Sequence, residues 1–200
     1  INRSNVNISI FYMKRINPQL RLFYQFNENP TNFDYATFNA KGGHNYGIEC
    51  DFVYNIKNGH IYSNIGLLNT YISNFHFLGI EYGNREAAHS PKFNYTIGIN
   101  YDLSKYVRGL FINFETIFKD SFYFDDQNDH QSKPYHIFNS SLKYTFNNMT
   151  INLWGKNIFN QKYATRGYTF ALVPSFPLDN QDYQAFGNLR EFGISINFTL

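Results

Sequence analysis

Apolar and polar residues alternate with a period of two along most of this chain, and that period is the repeat of a β-strand. In residues 93–101 one face carries only apolar or aromatic side chains, namely Phe93, Tyr95, Ile97, Ile99 and Tyr101. The opposite face of the same segment carries Asn94, Thr96, Gly98 and Asn100. The alternation continues to the end of the sequence, where one face carries Phe192, Ile194, Ile196, Phe198 and Leu200. The chain is therefore expected to be all-β.

The alternation predicts eight antiparallel strands, at roughly 4–25, 37–55, 60–74, 90–102, 108–123, 135–146, 150–167 and 189–200. Three of the connections between them are tight, at 57–59, 104–106 and 147–148, and Asn58-Gly59 is a strong hairpin signal. The other four connections are longer, at roughly 26–36, 75–89, 124–134 and 168–188. Short turns at one end of a sheet and long loops at the other are typical of an outer-membrane barrel.

The composition favours a membrane barrel over a soluble one. The 200 residues include 22 Phe and 17 Tyr, and aromatic residues collect at membrane–water interfaces. On the polar faces of the predicted strands, Glu115, Lys119 and Lys143 would be costly in a dry core, whereas a wet lumen would accept them. The sequence has no run of about 18 apolar residues, which excludes a transmembrane helix. The predicted fold class is an antiparallel transmembrane β-barrel with about eight strands present.

Charge and motifs argue against several other classes of protein. The formal net charge is only +2 and no Lys/Arg cluster occurs, so we expect no nucleic-acid partner. The six His have no metal-ligand spacing, and the acidic loop with Asp125, Asp126 and Asp129 lacks the features of a calcium site, so we expect that loop to be solvated. Ser121 and His130 are near Asp125 in sequence, but no nucleophile motif surrounds the serine. We therefore expect no enzyme, no metal and no cofactor.

Five residues near the last long loop are candidates for ligand binding. Aromatic rings can stack on a ligand and arginines can bind an anionic one, and the candidates are Trp154, Arg166, Phe170, Tyr183 and Arg190. Two other interpretations remain open at this stage. The aromatic residues could belong to an interface girdle or pack the loop, and the arginines could hold the loop or meet lipopolysaccharide phosphates.

Particular sequence strings resemble a known family. Residues 154–167, Trp-Gly-Lys-Asn-Ile-Phe-Asn-Gln-Lys-Tyr-Ala-Thr-Arg-Gly, are similar to the penultimate strand of TonB-dependent receptors, and residues 187–193 to the approach to their last strand. In that approach Leu189 stands where the family usually has Pro, and Leu200 stands where it usually ends in an aromatic residue. Residues 11–15, 45–49 and 90–93 resemble earlier family strands. The resemblance covers nearly the whole chain.

The resemblance implies a barrel of about 22 strands closed by an N-terminal plug, of which residues 1–200 would be C-terminal strands without the plug and the N-terminal strands. The implied function is active uptake of a scarce nutrient across the bacterial outer membrane, such as a siderophore, cobalamin or a saccharide, driven by TonB. The implied partners are the plug, TonB, the lipid bilayer with its lipopolysaccharide, an unknown small-molecule ligand, and the barrel-assembly machinery, which would recognise the strand 189–200.

Two alternatives stay open at this point. A barrel can close with eight strands, so the chain could be a self-contained structural or adhesive barrel of the outer membrane. An outer-membrane enzyme would require catalytic side chains that converge at the outer rim.

Overall fold

A computed structural model describes residues 4–26, 29–171 and 179–199. In chain order the strands are β1 (Ser4–Ile16), β2 (Gln19–Phe26), β3 (Asn29–Asn39), β4 (Gly42–Ile56), β5 (Gly59–Ile72), β6 (Phe75–Phe77), β7 (Ile80–Tyr82), β8 (Phe93–Asp102), β9 (Leu110–Lys119), β10 (Tyr135–Phe146), β11 (Met149–Lys156), β12 (Ala164–Phe170), β13 (Gln181–Phe186) and β14 (Glu191–Phe198). No helix in these described ranges is long and apolar enough to cross a bilayer.

Eight of the strands form one antiparallel sheet in the order β1-β4-β5-β8-β9-β10-β11-β14. Within the described residues β1 and β14 are the two edges, so the sheet is open. A self-contained eight-stranded barrel would require these two strands to pair, and the structure does not pair them. The prediction of an antiparallel sheet with about eight membrane-type strands is confirmed.

The connections differ at the two ends of the sheet. At one end, the short-turn end, β4–β5, β8–β9 and β10–β11 are joined by turns at 57–58, 103–109 and 147–148. Asn147 and Gly109 take positive φ angles of 49° and 81° there, as tight turns require. The other end is the long-loop end. There the connections contain three hairpins, β2–β3, β6–β7 and β12–β13, and each hairpin is a two-stranded sheet separate from the main sheet.

The predicted ends of several strands were wrong. The segment 4–25 does not form one strand, because Asn17 has a φ of 48° and the chain turns at Asn17-Pro18 before β2 begins. The segment 150–167 likewise breaks after Lys156, where Asn157 has a φ of 47°. The segment 37–55 divides between β3 and β4, and the segment 108–123 ends at Lys119. Of the predicted loop 168–188, residues 172–178 lie outside the described residues.

The two faces of the main sheet differ in chemistry. The polar face is concave, since one cavity is lined by residues from six strands between β5 and β14. The opposite, convex face is apolar and open to the surroundings. Ile10 is 78% exposed there, Phe114 51% and Phe192 67%, even though these strands pair regularly with their neighbours. An exposed apolar surface that spans a whole sheet is unstable in water and suits contact with lipid chains.

Among the described residues, the buried apolar side chains are found at the long-loop end. One cluster joins β2 to β5 and β6 through Leu20, Leu22, Ala40, Ile72 and Phe75. A second cluster joins residues 122–124, β10 and β12 through Phe122, Phe124, Tyr135, Ile137 and Ala164. The outer hairpins are therefore packed against the rim of the sheet.

Candidate functional site

Residues 120–134, which we call the bridging loop, connect the outer elements at the long-loop end. The guanidinium of Arg85, which follows β7, reaches into this loop. It donates hydrogen bonds of 2.8 Å to the Asn128 carbonyl, 2.8 Å to Asp129 Oδ1 and 2.9 Å to the Asp125 carbonyl. It also lies 4.3 Å from the centroid of the Tyr123 ring, and its side chain is only 12% exposed. Arg85 therefore holds the bridging loop in one conformation.

The acidic residues of the bridging loop serve as hydrogen-bond acceptors for backbone groups. Asp125 Oδ1 accepts from the amides of Gln127 and Asn128, at 2.8 and 2.6 Å, and Asp126 Oδ1 accepts from the Ala88 amide at 2.8 Å. The prediction that these carboxylates are merely solvated was wrong for both residues. Among the described residues, no three His, Cys, Asp or Glu side chains are arranged to hold a metal ion.

Two glutamines connect the β2–β3 hairpin to other outer elements in the same way. Gln127 accepts from the Phe23 amide at 2.8 Å and donates to the Phe23 carbonyl at 3.0 Å. Gln25 accepts from the Ala171 amide at 3.0 Å and donates to the Ala171 carbonyl at 2.9 Å. Each amide side chain thus satisfies both backbone groups of one residue, as a neighbouring strand would. The hairpin is held to the bridging loop on one side and to the end of β12 on the other.

His130 connects the bridging loop to the β12–β13 hairpin. Its Nε2 lies 3.0 Å from Gln184 Nε2, and its ring packs edge-on against Phe124 with the centroids 4.8 Å apart. Its Nδ1 lies 3.4 Å from Asp182 Oδ1, outside hydrogen-bond geometry, and has no hydrogen-bond partner in the described residues. The Phe124 ring occupies the space over Gly167, where a Cβ would overlap it. The bridging loop therefore contacts the β2–β3 hairpin and the β12–β13 hairpin. Its connection to the β6–β7 hairpin is through Arg85, which lies just after β7.

An ion pair lies just before β8 at the same end. Lys92 Nζ is 2.5 Å from Glu86 Oε1. The hydrogen bond from Lys92 lowers the pKa of the Glu86 carboxyl, and the hydrogen bond to Glu86 raises the pKa of Lys92.

The concave face carries a connected polar network. Tyr62 donates to Glu115 Oε2 at 2.9 Å, Asn139 donates to Glu115 Oε1 at 3.0 Å, and Asn113 donates to Asn100 Oδ1 at 2.9 Å. These residues come from β5, β8, β9 and β10, so the network crosses four neighbouring strands. A carboxylate with this many polar neighbours suits the wall of a water-filled lumen.

Three of the five predicted ligand-binding residues lie together on the β12–β13 hairpin. Phe170 and Tyr183 stack on each other across the hairpin, with ring centroids 4.7 Å apart and an interplanar angle of 28°. Arg166 is exposed on the same hairpin and is paired in register with Ala185. The two rings could therefore receive a ligand only on their outer surfaces, and Arg166 offers the nearby positive charge.

The other two predicted residues are elsewhere. Trp154 lies on the concave face, where its indole covers Gly193 of β14 and its Nε1 donates to Ser195 Oγ at 3.3 Å. Tyr62 covers Gly98 in the same cross-strand manner, which indicates that Trp154 lies flat against the wall as part of the sheet. Arg190 precedes β14 and lies 5.8 Å from the Phe192 ring. The structure does not bring the five residues into one site.

Residues that sequence reasoning missed hold the outer layer together. Arg85, Gln25 and Gln127 act on partners far away in the chain, up to 146 residues for Gln25 and Ala171. No local motif surrounds them in the sequence. Only the pairing of the strands before and after these segments brings the partners within reach.

Comparison with known proteins agrees with this architecture. The family model described as TonB dependent receptor-like, beta-barrel matches residues 2–158. Among solved structures, the ferric yersiniabactin uptake receptor FyuA of Yersinia pestis is 16% identical with a TM-score of 0.76, over 98% of this chain and 27% of that protein. The siderophore receptor PiuA of Acinetobacter baumannii is 17% identical with a TM-score of 0.69, over 98% of this chain and 26% of that protein.

A third similar structure is the ferric-catecholate import receptor Fiu of E. coli K12, which is 15% identical with a TM-score of 0.66, over 98% of this chain and 25% of that protein. Because these identities are low, the structural similarity shows a shared fold only. The chain spans about a quarter of the length of these receptors. The predicted resemblance is confirmed by the family match, which covers most of the sequence. This chain belongs to the TonB-dependent receptor-like β-barrel family.

Proposed function

We propose that this chain is an arc of the barrel of a bacterial outer-membrane receptor that takes up a scarce nutrient. The observation that carries the proposal is the contrast between the two faces of the sheet. The convex face exposes Ile10, Ile97, Phe114 and Ile194, whereas the concave face carries hydrogen-bonded Tyr, Asn and Glu side chains. An apolar outside around a polar inside is the arrangement of a wide membrane barrel.

Ferric siderophores are the first ligand class to test, with cobalamin and saccharides after them. The three similar structures are a siderophore receptor, a ferric yersiniabactin uptake receptor and a ferric-catecholate import receptor. The exposed Arg166 beside the Phe170–Tyr183 stack would suit an anionic aromatic ligand. Arg190 and Trp154 remain weaker candidates, because Arg190 lies at the entry to β14 and Trp154 lies against the wall.

The proposal includes partners that act through the rest of the protein. The edges of β1 and β14 would pair with further strands of a barrel of about 22 strands, since open sheet edges are not tolerated in lipid. A plug would fill the lumen and transmit the force of TonB. The strand 189–200 would be the segment that the barrel-assembly machinery recognises, and lipopolysaccharide would surround the long-loop end.

The test is ligand uptake by the native bacterium with the gene for the whole protein deleted or restored. Radiolabelled ferric siderophores, cobalamin and a saccharide are supplied one at a time, with and without a protonophore. We expect the deletion to abolish uptake of one ligand, and the protonophore to abolish the same uptake in the restored strain. Equal uptake of every ligand by the deleted and restored strains would refute the proposal.

Variants of the whole protein test the ligand-contact residues. Arg166→Ala and Tyr183→Ala should each raise the half-saturating ligand concentration by about tenfold, the effect of losing one good contact in a binding site. Tyr46→Ala is the matched control, because Tyr46 is an exposed tyrosine of the convex face. If the control weakens binding as much as the two test variants, the assignment of the site is wrong.

A further inference from the structure

The turn between β8 and β9 exposes two apolar side chains between two cations. Tyr106 is 76% exposed and Val107 is 47% exposed, and Lys105 and Arg108 on either side of them are exposed as well. Exposed apolar residues at a turn are unusual in water but common where a membrane protein meets the interface between lipid and water.

The turn has a defined conformation. The Leu103 carbonyl accepts hydrogen bonds from the amides of Tyr106 and Val107, at 2.8 and 3.1 Å. Asp102 Oδ1 accepts from the Ser104 amide at 2.7 Å, and Ser104 Oγ accepts from the Gly109 amide at 3.2 Å. These bonds fix the direction in which the turn presents its side chains.

The turn opens onto the convex side of the sheet. Val107 and Arg108 line a cleft together with the end of β10 and the residue after it, Tyr144, Thr145, Phe146 and Asn147. Tyr144 belongs to the apolar row of β10 that includes Phe138 and Leu142, and Phe146 is 55% exposed at the end of the same row. The cavity of the concave face is lined by different residues of these strands, including Asp102, Phe111 and Lys143. The cleft therefore lies where the apolar surface of the sheet ends.

In the part of the chain that the structure describes, the Arg108 guanidinium has no hydrogen-bond or ion-pair partner. The nearest acid in the sequence, Asp102, faces the concave cavity and is bonded to Ser104. A cation without a protein partner, held beside aromatic and aliphatic side chains at the edge of a lipid-facing surface, is matched to a phosphate of a lipid headgroup.

We propose that this cleft binds the headgroup of an anionic phospholipid. Arg108 would bind the phosphate, Lys105 would add positive potential, and Tyr106 and Val107 would lie at the level of the glycerol and the first acyl carbons. The inference rests on the proposed membrane location of the barrel and adds a lipid site to it. The short-turn end would then be the end that faces phospholipid.

The test uses the whole protein purified in detergent and native mass spectrometry with added phosphatidylglycerol. We expect Arg108→Gln to raise the dissociation constant for phosphatidylglycerol about fivefold, the effect of one cation near an anionic lipid surface. Arg21→Gln is the matched control, since it removes an exposed arginine of β2 at the opposite end of the sheet. Phosphatidylethanolamine should bind more weakly than phosphatidylglycerol to the unaltered protein.

Three results would overturn the lipid site. These are equal phosphatidylglycerol binding by the Arg108→Gln and unaltered proteins, equal weakening by both arginine variants, or full displacement of the lipid by inorganic phosphate. Heat-dependent electrophoretic migration of each variant reports separately whether a barrel is present. A protein without that migration shift would count against the proposed function itself, whereas a shifted protein with unchanged lipid binding would count only against this site.

Discussion

The side-chain amide of Gln127 is hydrogen-bonded to both backbone groups of Phe23, although the two residues are 104 positions apart in the chain. The glutamine thereby holds the β2–β3 hairpin against the bridging loop. Because the same loop contacts Arg85 and the β12–β13 hairpin, a displacement of the bridging loop would affect most of the outer layer.

Replacing Gln127 by Ala should release the β2–β3 hairpin from the bridging loop. Two partly buried hydrogen bonds are lost, each contributing about 1 kcal/mol, so amide exchange at Phe23 should become about tenfold faster or more. Hydrogen exchange of the whole protein followed by mass spectrometry measures this rate. Gln131→Ala is the control, since Gln131 is an exposed glutamine of the same loop. Unchanged exchange at Phe23 would mean that the hairpin is held by its apolar cluster alone.

Replacing Asn157 by Gly should destabilise the entry to the last strand. Asn157 is 3% exposed, and its side chain donates to the carbonyls of Gln161 and Asn188 and accepts from the Gln161 amide. Glycine keeps the positive φ but removes three hydrogen bonds, so we expect a loss of about 2–3 kcal/mol in the free energy of unfolding. Urea unfolding of the whole protein in lipid vesicles measures it.

Asn147→Gly is the matched control for that measurement. Asn147 has a similar φ of 49°, but it is exposed in the turn between β10 and β11. We expect a change within about 0.5 kcal/mol there. Similar losses at both positions would show that the backbone conformation, and not the side chain, makes Asn157 important.

A new charge should destabilise the protein at one of two adjacent residues of β8 and be tolerated at the other. Ile97 is 39% exposed on the convex face, so Ile97→Arg should place a guanidinium in lipid and cost about 2–4 kcal/mol. Thr96 belongs to the concave face, where Thr96→Arg should be tolerated. Yield of heat-modifiable protein in the outer membrane and the urea midpoint report both effects. The reverse order would mean that the convex face is in contact with water.

The Glu86–Lys92 pair should make stability weakly dependent on acid pH. The pKa of Glu86 is lowered in the folded protein, so its contribution is complete above the unfolded pKa of about 4.3 and is lost as the pH falls through the lower folded value. The contribution should be below about 1 kcal/mol, because the Lys92 side chain is 59% exposed and screened by solvent. We expect Glu86→Gln to flatten the urea midpoint between pH 6 and pH 3 by roughly this amount. An identical pH profile for both proteins would exclude the pair as a source of acid sensitivity.

The main strands could be predicted because each has one apolar face along its whole length, as the row from Phe93 to Tyr101 illustrates. The breaks at Asn17 and Asn157 were missed because they depend on single residues with positive φ inside segments that still alternate. The hairpin β6–β7 was missed for a different reason. Its strands have three residues each, too few for a period of two to be recognised.

The candidate site was less predictable than the fold. The sequence offers Phe170 and Tyr183 as aromatic residues that could stack on a ligand, and the structure stacks them on each other. That contact depends on the register of β12 and β13, in which Tyr168 and not Phe170 is opposite Tyr183. The ring of Trp154 is a candidate for the same reason, but the glycine that it covers is 39 residues further along the chain.

The outer hairpins also bear on how the chain closes its sheet. Strand β1 must find β4 across residues 17–41, and β11 must find β14 across residues 157–190. When β2 pairs with β3, Gln19 and Asn39 become neighbours, and the pairing of Ala164 with Phe186 shortens the second gap in the same way. Each hairpin thus shortens the loop that must close before the two flanking strands can pair. The shorter loop lowers the entropic cost of that pairing. We expect the hairpins to form early, so that strands far apart in sequence meet as near neighbours.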